Sequence, residues 1–149
     1  MSALVVWTAV WVLFWGVAVG QLWLPRRYFP WLVRAARASV VRALLLTAAV
    51  HLSGLLLFAL AGLLINNLFA PDAPEWALAA LFVVAGMLYS PLVGLALPAR
   101  DLHPLEDVRL RLETAGATLG QERAIAWTAC FLAFPGMSAI VGTAAVLLG

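Results

Sequence analysis

Long apolar runs broken by three polar stretches make up almost the whole chain. Four runs, at about 3–24, 43–65, 76–97 and 124–148, reach the roughly 20 residues that an α-helix rising about 1.5 Å per residue needs to cross about 30 Å of hydrocarbon. The connections, 25–42, 66–75 and 98–123, collect the Pro, Asn, Asp and charged residues that end helices or require water. The pattern predicts an all-α polytopic membrane protein: a bundle of four transmembrane helices forming a single domain over 1–149.

Two connections carry further helical signals. From Pro30 to Arg37 no breaker precedes the second run, so that helix is expected to begin near Pro30 and to project beyond the hydrocarbon. In 104–115, Leu105, Val108 and Leu112 recur at helical spacing before Gly116, which predicts a short amphipathic helix for a membrane surface or a partner. Thr118 and Gln121 fit a capping box, so the fourth helix is expected to start before its apolar run. Ala18-Val19-Gly20 loosely resembles a cleavage site, but no basic residue precedes the first run, and it is read as a retained span.

Composition removes the soluble alternatives. Hydrophobic residues are 65% of the chain and charged ones 11%, too little polar surface to cover a water-soluble globule. A formal charge of +2 is not the footprint of a nucleic-acid binder, so no nucleic-acid partner is expected. Cys130, the one cysteine, excludes an intrachain disulfide and any multi-cysteine metal site.

Charge also orients the spans. All nine basic residues are arginines: Arg26, Arg27, Arg34, Arg37 and Arg42 in the first connection, Arg100, Arg109, Arg111 and Arg123 in the third, and none in the second. The positive-inside rule then places the first and third connections in the cytoplasm and both termini outside. Trp7 and Trp76 near the outer boundary, and Trp23, Tyr28, Trp31 and Trp127 near the inner one, agree with that depth. Arginine-only basic usage points to a GC-rich bacterium or archaeon and a plasma-membrane location.

Candidate chemistry is sparse. The apolar runs hold no Asp, Glu, Lys or Arg, which argues against an ion-coupled carrier and removes the acid pairs of hydrolytic or di-iron sites. His51 is their one ionisable exception, suited to a haem iron, a quinone or a bond to a neighbouring helix. A bis-histidine haem would need a second imidazole, and His103 lies in the third connection. Trp7, Trp11 and Trp15 form a stripe that suits lipid, a neighbouring subunit or a flat ring, with Gly16 and Gly20 roughly opposite on a face built for close packing. Ala129, Ala133, Ser138 and Gly142 are small-residue packing positions of the fourth helix. Pro91 and Pro135 should disturb their helices, with Ser90 and Ser138 at hand to satisfy freed carbonyls. Asp101, His103, Glu106 and Asp107 specify no metal geometry. The arginines of the first connection suit lipid headgroups or an acidic partner. No particular cofactor is indicated.

Three functional expectations follow. The first is a structural or accessory subunit of a larger prokaryotic membrane complex, respiratory or photosynthetic, whose partners are membrane lipids and other subunits or copies of itself. The second is a small homo-oligomeric channel or transporter with a path near His51, Ser53, Ser90, Ser138 and the Pro91 and Pro135 breaks. The third is a haem- or quinone-binding redox subunit using His51.

Overall fold

A computed structural model describes residues 3–96 and 103–149. They form six helices: α1 (Ala3–Leu22), α2 (Pro25–Ala36), α3 (Val40–Leu68), α4 (Glu75–Gly94), α5 (Pro104–Thr114) and α6 (Leu119–Leu148). Four of these, α1, α3, α4 and α6, are long and apolar enough to cross a membrane.

These four are apolar on every side, as a helix must be when it lies deep in a core or in lipid. The chain itself covers little of them: 17% of the most apolar window of α3 and 28% of that of α1 are buried. The accessible area is 8390 Å², against about 7,400 Å² for a soluble monomer of this mass. Exposed Leu, Val, Trp and Phe side chains account for the excess, among them Leu56, Leu63, Trp76, Leu88, Phe131 and Phe134.

Chain direction explains who neighbours whom. Consecutive spans run oppositely, so the first and third run the same way, as do the second and fourth. The tightest seam is the parallel α1–α4 pair: Val12 lies against Gly86, Gly16 against Ser90 and Gly94, and Gly20 against Pro91, Gly94 and Leu95. A Cβ on Gly16 would sit 2.5 Å from the Ser90 carbonyl oxygen, and a Cβ on Gly20 or Gly94 would strike the main chain of the facing helix. The second parallel pair is α3–α6, with Gly62 against Thr143 and Val40 against Gly120. Between the pairs, α4 meets α6 and α3 in antiparallel contact, through Tyr89 and Val93 beside Gly136 and through Tyr89 and Leu92 beside Gly54. Phe58 packs into the α3–α4 seam against Phe82 and Tyr89, with ring centroids 6.1 and 5.3 Å apart.

Two apolar cores stack along the bundle. One joins Val5, Val12, Phe58, Phe82, Val93 and Ile140 of the long helices. The other joins Phe29 and Leu32 of α2, Ala43 of α3, Leu95 after α4, Val108 and Leu112 of α5, and Ile125 of α6. This second core brings α2, α5 and all eight described arginines to one end; Asp72 and Glu75 mark the other.

The first connection differs from expectation. The second spanning helix does not begin near Pro30: α2 is a separate helix, and α3 starts at Val40. Between them Arg37 and Ala38 adopt left-handed backbone (φ 47° and 60°), and the Ser39 side chain accepts from the Arg42 amide at 3.3 Å to cap α3. The break lets α2 fold Tyr28, Phe29, Leu32 and Ala36 onto the core, whereas a straight helix would leave them beyond the bundle. The first long helix also ends at Leu22 rather than near residue 24.

Other local expectations hold. The amphipathic segment is α5, with Val108 and Leu112 buried. The capping box forms: the Gln121 amide donates to Thr118 Oγ1 (3.4 Å) and the Thr118 amide donates to Gln121 Oε1 (3.0 Å). The breaks expected at Pro91 and Pro135 are not present as interruptions, since α4 and α6 continue through both residues.

The α1–α4 seam should therefore be the least tolerant part of the bundle. Gly16→Leu is expected to lower stability by about 1–3 kcal/mol through forced separation of the two backbones, read as a shift in reversible unfolding in detergent. Gly142→Ala should stay within about 0.5 kcal/mol, because a Cβ there meets nothing within 4 Å.

Candidate functional site

The polar groups that the fold draws together lie at the arginine-bearing end, where α1 stops, α2 starts and α5 crosses beside them. Asp107 and Arg111 stand one turn apart on α5, a spacing at which side chains meet. Arg111 donates through Nη2 to Asp107 Oδ2 at 2.6 Å and through Nη1 to the Gln21 carbonyl at 3.2 Å. That carbonyl belongs to the last turn of α1. A carboxylate side chain only 4% exposed is thus matched by a guanidinium that is 18% exposed. Such charge-assisted bonds are the strong ones. The Arg109–Glu122 pair nearby, 4.0 Å apart with a half-exposed arginine, contributes little.

Beside this cluster opens a cavity of about 690 Å³, whose walls include Gln21, Leu22, Arg26, Pro30, Asp107 and Arg111. Aromatic rings flank it in sequence: exposed Trp23 carries the Arg27 guanidinium 5.5 Å from its ring centroid, and exposed Trp31 stacks on Tyr28 at 6.1 Å. Two guanidiniums, of Arg26 and Arg111, and one carboxylate, of Asp107, line it. Tyr28 is buried and its hydroxyl has no hydrogen-bond partner among the described residues. Burial alone pushes that hydroxyl above the ordinary tyrosine range.

The other arginines of the first connection surround this site without entering it. Arg27, Arg34, Arg37 and Arg42 are exposed, and Arg34 Nε donates to the Pro30 carbonyl at 3.1 Å.

The other sequence candidates do not meet in one place. His51, 3% exposed, lies inside the bundle, where its Nδ1 donates to the Thr47 carbonyl at 2.9 Å and the main chain of Leu92 approaches from α4. Its Nε2 has no hydrogen-bond partner among the described residues. Trp7, Trp11 and Trp15, 65%, 58% and 41% exposed, point away from the bundle and are not brought to His51. His103 is exposed in front of α5. Ser90 is buried against Gly16 of α1, whereas Ser53 and Ser138 face outward.

Packing candidates divide. Gly16, Gly20, Ala129 and Ala133 are buried within the chain. Ser138 and Gly142 are exposed, and the packing expected of them is not made inside this chain, because α6 turns its Ile140 and Ala144 side inward instead. No three His, Cys, Asp or Glu side chains converge among the described residues; Asp101 and Arg100 lie outside them.

Sequence reasoning missed the Arg111 cluster. The i, i+4 spacing of Asp107 and Arg111 was a usable signal; the Gln21 carbonyl, 90 residues away, had none. Compared with protein-family models, curated proteins and solved structures, the chain matches none of them.

Two measurements follow. Asp107→Ala should destabilise by about 1–3 kcal/mol, since it strands a mostly buried guanidinium while partial exposure softens the loss. Tyr28 should ionise later in the folded protein than in the unfolded chain. The folded state then holds more protons above pH 10, so this contribution is complete below about pH 10 and falls as pH rises further. Tyr28→Phe should make the alkaline fall in stability shallower and leave neutral-pH stability unchanged or slightly higher, because no hydrogen bond is lost.

Proposed function

We propose that this chain is a structural or accessory subunit of a larger prokaryotic membrane complex, respiratory or photosynthetic, that acts by helix packing and by contact with lipid or a cofactor held elsewhere. The observation that carries the reading is the split between filled and unfilled seams. Inside the chain, Gly16, Gly20 and Gly94 are already consumed in backbone contact. Outside it, the Trp7, Trp11 and Trp15 stripe and the Ser138 and Gly142 positions of α6 remain uncovered. Tryptophan stripes and small residues at i, i+4 are the two surfaces by which spanning helices meet neighbours.

In this proposal the chain is a four-span protein of the plasma membrane of a bacterium or archaeon, with α2 and α5 on the cytoplasmic side and both termini outside. Support comes from the arginines gathered at one end against Asp72 and Glu75 at the other. The cytoplasmic face of α5 then offers exposed Leu110, Glu106 and Glu113 to a partner.

The test is purification in mild detergent from the native membrane. A fixed set of additional chains in constant ratio is expected, with loss of at least one of them in Gly142→Leu, a position where an added Cβ meets nothing inside this chain within 4 Å. A clean homo-oligomer that conducts solutes into liposomes, with conduction lost in Ser90→Ala, would replace this reading with a channel.

A further inference from the structure

We propose that the cavity between the end of α1, the start of α2 and α5 is a binding site for one anionic glycerophospholipid, with the phosphodiester held between Arg26 and Arg111. This deepens the lipid contact in the proposed function and rests on its membrane reading, but not on the subunit role.

The two arginines are differently prepared. Arg111 is held by Asp107 and by the Gln21 carbonyl, bonds that use two of its five N–H donors. A guanidinium already ordered loses little freedom when it accepts a phosphate. Arg26 stands exposed at the cavity wall and closes from the other side. With Asp107 counted, the walls carry a single net positive charge, which matches one phosphodiester and leaves a zwitterionic headgroup with an unmatched ammonium.

The surroundings select a lipid over a soluble anion. Leu22, Pro25, Pro30 and Leu110 form apolar wall beside the arginines. Leu22 is the last residue of a helix apolar enough to span, so the cavity opens where acyl chains end. Trp23 under Arg27, and Trp31 on Tyr28, mark the same level as the headgroup layer that indole rings prefer. At about 690 Å³ the cavity admits a glycerophosphate headgroup and excludes a whole lipid. The acyl chains would lie along exposed Leu22 on the outside of the bundle.

The experiment is native mass spectrometry of the detergent-purified chain, incubated with equal amounts of phosphatidylglycerol and phosphatidylcholine, and separately with soluble glycerol phosphate. One retained phosphatidylglycerol is expected, favoured about fivefold or more over phosphatidylcholine, with negligible retention of glycerol phosphate. Arg26→Gln should erase the preference, whereas Arg42→Gln, an exposed arginine of the same end outside the cavity, should keep it. Equal retention of the two lipids, or equal loss in both variants, would overturn the site in favour of diffuse surface charge. Retention of glycerol phosphate as strong as that of the lipid would overturn the lipid assignment. A chain that purifies alone yet passes this test keeps the site and loses only the subunit role.

Discussion

Hydrocarbon tolerates neither a bare peptide group nor an unpaired charge, and in the proposed membrane setting of its four long apolar helices this exclusion organises the molecule. It forces the long segments to be helices, whose backbone groups bond within themselves. It also expels the ionised side chains to the two ends, where α2, α5 and the short turns hold them. The bundle between is left to hold together by shape, because apolar side chains gain nothing from leaving lipid for one another. That is why its closest contact is a backbone contact: Gly16 and Gly20 on α1 against Ser90, Pro91 and Gly94 on α4.

The arginine-bearing end is built by different physics. Here α2 and α5 behave as ordinary amphipathic helices. They bury Phe29, Leu32, Val108 and Leu112 on a core that also includes Leu95 and Ile125. Covering that core brings α5 beside the end of α1, and one mostly buried arginine ties the two by a carboxylate on its own helix and a terminal carbonyl on the other. The cavity with its charged wall is a consequence of this join.

Much of the plan was legible before the structure. Apolar length marked the four long helices, Leu105, Val108 and Leu112 marked α5, and Thr118 with Gln121 marked the start of α6, since each is a local rule of spacing. The turn between α2 and α3 was not legible, because Arg37 and Ala38 take left-handed backbone without the glycine that usually announces it; Ser39, a favoured cap residue, was the one available sign. Gly16 and Gly20 were recognisable as a packing face, but their partner was not, since it depends on Ser90, Pro91 and Gly94 falling on the facing side of another helix. The outward placement of Ser138 and Gly142 is of the same kind. Small-residue spacing identifies a face, and only tertiary arrangement decides what that face meets.

The account stands on the claim that the 66–75 turn and the α2–α5 end lie on opposite sides of a membrane. Single cysteines at exposed Asp72 and exposed Glu113, in a chain where Cys130 is alanine, give the most direct measurement with a membrane-impermeant maleimide on intact cells and on lysed ones. The account predicts that Asp72→Cys is labelled in intact cells and that Glu113→Cys reacts only after lysis. Labelling of both positions in intact cells, or of both only after lysis, would contradict it.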